Sequence, residues 1–470
     1  MDIALVNPPF LYPCKEEIVL SQCIGLRTLS SLLKEAGHNV QFVDALRDGL
    51  SNVQKYANGY LVGDVYESIA GKVKPGTDLI GLSAPFSQLA PVAHDILGEL
   101  KNRHPDAMLI LGGVYPSSQP ELAITSPADY IVVGEGERAI FAIANGQVPE
   151  NIQGVCSPAG SQNSFVSAER VSDLDELPFP DYSIPGIDGY FDLSPRMKRG
   201  RTAALVTSRG CPFNCEFCSI HPVCGRNWRY RSAENVLEEI EFLNRRFQIR
   251  SLEIEDDNFS LSKERMIAIL EGIIRLNEAG ANLSWRTPNG IRIDTLDQDV
   301  ISLMKLSRCN DLVLALEHGD AEMLDIMEKK LSLDKAYEVV STCVASGIDH
   351  INIFVIVGYP GETQGRFESG ITFLRRLRDL GSNIDICANI AQPYPATRLL
   401  ARCRAEGYVE GRDFDNFLVR RDLMSTAYGV PITTPDFNVR EVMRRRELIW
   451  EVFHPERRWR RYLQPLVFWR

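Results

Sequence analysis

Three cysteines separated by three and then two residues, Cys211-Pro212-Phe213-Asn214-Cys215-Glu216-Phe217-Cys218, carry the sharpest chemical signal in the chain. Thiolates are soft ligands, and a short loop bearing three of them can wrap one small inorganic centre, either an iron–sulfur cluster or zinc. In a cubane of four irons, Cys211, Cys215 and Cys218 would hold three corners and leave the fourth iron open to an outside ligand. A structural zinc ion would instead want a fourth protein ligand, with His221 and Cys224 the nearby candidates. Pro212, Asn214 and Phe217 suit an open loop, and Phe217 sets an aromatic plane beside the centre. Cys224 otherwise reads as an incidental thiol. Cys14, Cys23, Cys156, Cys309, Cys343, Cys387 and Cys403 are scattered singly, as buried, reduced thiols are in the cytosol.

The triad follows the segment 203–206, the first of six strand-like stretches. The others are 252–255, 283–286, 312–316, 351–355 and 384–389, alternating with helical patterns near 232–246, 263–279, 297–307, 334–346 and 364–380. Six such units imply a partial (β/α)6 barrel over residues 200–400. Residues 1–146 alternate the strands 3–6, 40–43, 79–83, 108–111 and 130–133 with helices near 18–36, 87–103 and 137–145. That order predicts an N-terminal doubly wound, Rossmann-like (flavodoxin-like) α/β domain. Residues 147–199 gather Pro, Gly and Ser around Leu177-Pro178-Phe179-Pro180 and read as a connector, and 401–470 as a mainly helical C-terminal region.

A chain of 470 residues has length for about three domains at roughly 150 residues each. With 44% apolar and 24% charged residues it is globular, which excludes a disordered, collagenous or coiled-coil chain. A net charge of −11 gives no field that would draw nucleic acid onto the whole surface. The first residues lack a basic n-region and a cleavage site, and apolar runs fall short of the ~20 residues of a spanning helix, so the chain reads as cytoplasmic. Between Arg440 and Arg470, nine arginines and four glutamates interleave with Trp450, Phe453, Trp459, Tyr462, Phe468 and Trp469. Two readings stand: a helix docked on the acidic body with its arginines on the solvated face, or attachment to a membrane surface or an anionic, apolar substrate.

The cysteine motif, with an aromatic residue before its last cysteine, resembles the radical S-adenosylmethionine (SAM) superfamily. That resemblance implies a 4Fe–4S cluster whose open iron is chelated by the amino and carboxylate groups of SAM. Residues at other predicted strand ends agree with it. Asp256 and Asp257 could accept hydrogen bonds from an ammonium or a ribose. Glu317 falls where relatives place a glutamate against the SAM ribose, and Gly358 opens a glycine-rich turn ahead of the helix cap Thr363. His318 stands where many relatives carry serine and reads as a satisfied histidine. Ala396, in Gln392-Pro393-Tyr394-Pro395-Ala396-Thr397, takes a place commonly held by glycine. Tyr359 and Tyr394 receive no catalytic role.

The first domain presents Asn7-Pro8-Pro9, Asp44-Ala45-Leu46, Ser83-Ala84-Pro85, Gly112-Gly113-Val114 and Gly134-Glu135-Gly136-Glu137 along one sheet edge, where paired glycines admit a bulky ligand. This pattern resembles the cobalamin-binding domain ahead of the barrel in one radical SAM subclass, which includes methyltransferases and the anaerobic magnesium-protoporphyrin cyclase type. The resemblance implies that Asn7, Asp44, Leu46, Ser83, Gly112, Gly113, Val114, Gly134 and Glu135 line a cobalamin site. Many cobalamin proteins ligate cobalt through the histidine of D-x-H-x-x-G, but Asp44-Ala45-Leu46-Arg47-Asp48-Gly49 carries Leu46 there. The alternative for this domain is a sheet that binds no cofactor.

By analogy with the subclass, the expected activity is methyl transfer from methylcobalamin to an unactivated carbon, after hydrogen abstraction by a 5′-deoxyadenosyl radical. The expected substrate is a small or lipid-like molecule, and the expected electron source is an external low-potential flavodoxin or ferredoxin type donor. A radical cyclisation, rearrangement or carbon–carbon coupling without methyl transfer is the alternative. A zinc-stabilised nucleotide-binding module and a transfer-RNA-modifying enzyme are more distant ones; Cys14 and Cys23 lack the spacing of a further cluster.

Overall fold

The computed structural model describes residues 1–12, 15, 18, 20–56, 59–158, 165–192, 200–409 and 432–455. Cys14 and the tail residues Trp459, Tyr462, Phe468 and Trp469 lie outside the described residues. Two compact units result, one from residues 1–192 with 219–230 and one from 200–218, 231–409 and 432–455.

The first unit is built on the strands β1 (Asp2–Asn7), β2 (Asn39–Asp44), β3 (Leu79–Ser83), β4 (Met108–Gly112), β5 (Tyr130–Val132) and β6 (Val155–Cys156). Their order is β2-β1-β3-β4-β5-β6, parallel throughout except for β6. This is the flavodoxin-like order, whose direction reverses between β1 and β3. Ile3-Ala4-Leu5-Val6 and Leu79-Ile80-Gly81-Leu82 are buried along their whole length, as strands covered on both faces must be. Leu33, Ile140 and Ile143, from the helices Ile24–Glu35 and Glu137–Ala144, join Leu5, Ile110 and Val132 in one core. The unit also holds a three-stranded antiparallel sheet of Phe10–Tyr12, Gly59–Val62 and Val53–Tyr56 that the sequence pattern does not predict. These strands are short and mix Gln54 and Lys55 with apolar residues, so no apolar run announces them.

In the second unit β7 (Thr202–Leu205), β8 (Ser251–Ile254), β9 (Ser284–Arg286), β10 (Cys309–Glu317), β11 (His350–Val357) and β12 (Ile384–Ile390) pair in sequence order, all parallel. The intervening helices Ala233–Phe247, Lys263–Glu278, Gln298–Leu306, Leu333–Ala345 and Gln364–Arg378 start at Ser232, Ser262, Asp297, Ser332 and Thr363. Each of those side chains accepts the amide three residues on, which satisfies a donor the helix itself cannot. A last helix, Val439–Phe453, follows. The solvated arginine face expected of it is only half present: Arg440 and Arg444 are exposed, but Arg445 and Arg446 are buried because polar groups inside the unit receive them.

Across β8 to β11, charges alternate at neighbouring registers. Glu253 faces Arg286, Arg286 faces Asp311, and Asp311 faces His350. The contacts are 2.9 Å from Arg286 Nε to Glu253, 3.0 Å from Arg286 Nη1 to Asp311, and 2.8 Å from His350 Nδ1 to Asp311. The hydrogen bond to Asp311 raises the His350 pKa above its ordinary value, with Asp385 adding to it and burial opposing. Burial pushes the Asp311 carboxyl up, but His350 and Arg286 outweigh it and hold it below the usual range. His350 therefore contributes stability in full below an unfolded pKa of about 6.5, and that contribution is lost as pH rises through its raised folded value. The Asp311 contribution is lost only as pH falls through its depressed value. The denaturation midpoint of the chain should fall between about pH 6 and about pH 9, and His350→Gln should flatten that fall.

Candidate functional site

The loop that carries the three cysteines has almost no secondary structure of its own, so side chains from other strand ends hold its backbone. The chain leaves β7 through Thr207, whose amide and hydroxyl each donate to Asp256 at 2.6 Å; the Ser208 hydroxyl donates to the same carboxylate at 2.7 Å. Asp257 accepts the amide of Gly210 at 2.7 Å, where φ of +84° makes a left-handed turn suited to glycine. The Asn258 side-chain amide donates to Cys211 Sγ at 3.6 Å. Asp256, which the sequence reading aims at SAM, is buried and spends both oxygens on the loop, because the loop's own donors lie beside it.

Downstream, the Tyr359 hydroxyl donates to Glu216 at 2.6 Å, and Arg402 stands 3.4 Å from the same oxygen. Burial, with the Glu216 hydrogen bond, pushes the Tyr359 hydroxyl far above its ordinary pKa and keeps it a donor. Phe217 meets Tyr359 edge to face, with centroids 6.4 Å apart. Asn214 donates to Glu328 at 2.7 Å. Tyr359, Glu328 and Arg402 went unnoticed in the sequence as loop anchors, since nothing local ties them to residues 211–218.

All three cysteines are half-buried. Burial raises the Cys215 thiol, while Lys329 and Arg292 pull it down. Both cations are buried, with Arg292 stacked 3.6 Å over Phe213 and Lys329 Nζ 2.9 Å from Glu317. Three thiolates around an iron–sulfur cube carry negative charge, so this donor set with flanking cations fits such a group. Among the described residues no three His, Cys, Asp or Glu side chains gather around one metal ion, and His221 and Cys224 lie on a short helix assigned to the first unit. Glu317 has φ of +72° and Gly358 +75°, so both strand ends turn left-handed. Ala396 also adopts positive φ, 59°, the conformation glycine favours.

In the first unit the expected cobalamin residues divide into two groups. Asn7, Asp44 and Leu46 are buried: Asn7 donates to Asp44 at 2.8 Å, Tyr190 donates to the other oxygen, and Leu46 is core. The position of a cobalt-ligating histidine is thus filled by a packed apolar side chain. Ser83 and Val114 are half-buried beside the glycine turns. A Cβ on Gly112 would meet nothing within 4 Å, whereas one on Gly113 (φ +106°) would lie 2.7 Å from Ala84 O. Gly113 is therefore needed by the turn itself, and Gly112 leaves open room of the kind a bulky cofactor requires. The Ser117 hydroxyl joins the two glycine loops by donating to Gly113 O at 2.7 Å and accepting the Gly134 amide at 2.9 Å. Glu135 forms a buried ion pair with Arg229, which also donates to Val171 O at 2.6 Å.

A parallel partial barrel with three cysteines beyond its first strand, in a chain that also holds a flavodoxin-like unit with glycine turns, defines a two-domain cofactor enzyme. Residues 205–374 match the model of the Radical SAM superfamily, and residues 21–144 match that of the B12 binding domain. The chain carries a radical SAM domain preceded by a B12-binding domain and is a radical SAM enzyme. It is 29% identical over 412 residues to an uncharacterised methyltransferase of Pyrococcus horikoshii, covering 85% of this chain and 82% of that one. It is 25% identical over 428 residues to the cytidylyl-2-hydroxyethylphosphonate methyltransferase of Streptomyces wedmorensis, covering 82% and 78%. In fold it matches the radical SAM methyltransferase TsrM of Kitasatospora setae, solved with cobalamin and a [4Fe-4S] cluster, with a TM-score of 0.66 at 18% identity over 87% of this chain and 79% of that one. The cofactors of this class are a 4Fe–4S cluster, SAM and cobalamin. No described helix is long and apolar enough to cross a membrane.

Arg229→Ala would remove the guanidinium that pairs with the buried Glu135 carboxylate, a change that costs about 3–5 kcal/mol. The expected result is a lower melting temperature and less retained cobalamin; unchanged values for both would show that the pair does not hold the Gly134-Glu135 turn.

Proposed function

We propose that this protein is a methyltransferase that places a methyl group on an unactivated carbon of a small or lipid-like molecule. The observation that carries the reading is the loop with Cys211, Cys215 and Cys218 at the end of the first barrel strand, in a chain with an open glycine cradle at Gly112. When bound, the cluster with SAM supplies a 5′-deoxyadenosyl radical and cobalamin supplies the methyl group. Cys211, Cys215 and Cys218 hold the cluster, and Asn258 orients Cys211 through its N–H to sulfur contact. Lys329 and Arg292 balance the charge of the thiolates. Phe217, Glu317 and Gly358 contact SAM, with Asp257 and Asp256 acting through the loop they brace. Ser83, Gly112, Gly113, Val114, Gly134 and Glu135 form the cobalamin cradle, with Asn7, Asp44 and Leu46 as its packed floor. An external low-potential donor of flavodoxin or ferredoxin type delivers the electron.

Alanine at Cys211, Cys215 or Cys218 should abolish SAM cleavage while the first unit still binds cobalamin; full activity in any one variant would remove that cysteine from the ligand set. Gly112→Val should fill the cradle and lower cobalamin content, whereas wild-type content would place the cofactor elsewhere. Isotope tracing from methyl-labelled SAM tests the reaction itself. Label in the product is expected, and a modified product without label would replace methyl transfer by a cyclisation, rearrangement or coupling.

A further inference from the structure

The helix Val439–Phe453 brings one almost fully buried arginine, Arg445, against a carboxylate that is itself fully buried, Glu362. Arg445 Nη1 donates to the Glu362 carbonyl at 2.6 Å and stands 3.2 Å from its carboxylate; Arg445 Nε donates to Glu441 at 3.2 Å. The same Glu362 carboxylate accepts the Gly358 amide at 2.8 Å on one oxygen and faces His318 Nε2 at 3.2 Å on the other. His318 Nδ1 accepts the Asp320 amide at 3.0 Å, so the ring proton sits on Nε2 and is donated to Glu362. One carboxylate thus ties the turn that leaves β10 to the turn that leaves β11.

Those turns adjoin or carry two left-handed residues of the site, Glu317 and Gly358. Neighbouring packing adds to the constraint. A Cβ on Gly358 would lie 2.8 Å from the Val442 side chain, and one on Gly370 would lie 3.1 Å from the His318 ring, so neither turn has room to shift. Val442 and Ile449 already bury the apolar face of the helix. A buried ion pair is weak evidence for stability, because desolvation offsets most of the attraction; what its directional hydrogen bonds do secure is orientation.

We propose that Glu362 and Arg445 are positioning residues for SAM, which set the Glu317 carboxylate and the Gly358 backbone at the angle that ligand needs. The inference rests on the reading that Glu317 and Gly358 contact SAM. Full-length Glu362→Gln, Arg445→Met and Arg445→Lys, reconstituted with iron, sulfide and cobalamin without oxygen, test it. SAM dissociation constants come from equilibrium dialysis, KM and kcat from reductive SAM cleavage, and hydrogen exchange over residues 354–363 from the chain before reconstitution. Glu362→Gln and Arg445→Met should raise the dissociation constant and KM roughly tenfold or more, the size expected for lost hydrogen bonds to a charged group. Turnover at saturation should change less than about threefold, exchange at 354–363 should quicken, and Arg445→Lys should recover most of the affinity.

Wild-type affinity in an iron-replete Glu362→Gln would overturn the inference. Should Glu362→Gln and Arg445→Met take up no iron, Glu362→Asp, which keeps the charge but draws the carboxylate back from Gly358 and His318, decides: weakened SAM binding with full iron supports the inference, and wild-type binding overturns it. Wild-type protein that carries its cluster yet binds no SAM would instead refute the reading on which the inference rests.

Discussion

The hydrogen bonds from Thr207 and Ser208 to the buried carboxylate of Asp256 decide where the cysteine loop begins, and the rest of the barrel's chemistry depends on that start. Residues 210–218, which carry the three thiols, form neither helix nor strand, so their backbone donors and acceptors need partners from elsewhere. Here the amides of Thr207 and Gly210 find Asp256 and Asp257 after β8, while Asn258 holds the Cys211 sulfur and Tyr359, after β11, holds the Glu216 carboxylate. A parallel sheet makes this possible because all its strands deliver their carboxyl ends to the same edge.

The first unit meets a similar demand by other means. Its glycine turns owe their shape to positive φ and to one hydroxyl, that of Ser117, shared between Gly113 and Gly134. Glycine alone would leave these turns free to wander, and the shared hydrogen bonds restrict them. In the same unit Leu46 and the Asn7–Asp44–Tyr190 group are buried. A polar network is kept there because Asp44 is wholly buried, and an unpaired carboxylate at that depth would be costly.

Much of this architecture was legible beforehand. The strand segments 3–6, 79–83, 252–255 and 351–355 are apolar runs bounded by turn residues, and each lies within a strand or overlaps one apart from an end residue. Thr363 was readable as a cap because its side chain needs only the amide of Arg366. Phe10–Tyr12 and its two partner strands were not readable, since their apolar residues are too few to show a period. The arginines of Val439–Phe453 misled for a related reason: composition shows charge, and charge is solvated by default, so the burial of Arg445 against Glu362 contradicts the local expectation.

Spacing along the chain was enough to identify the thiol triad, the alternation of strand and helix, and the glycine pairs, because each is a local property of consecutive residues. Which carboxylate braces a loop was settled by folding. Asp256 turns to Thr207, and Glu362 answers Gly358, His318 and Arg445 from three different elements. A hydrogen bond depends on ångström-scale distance between groups far apart in sequence, and no pattern of neighbouring residues encodes that distance.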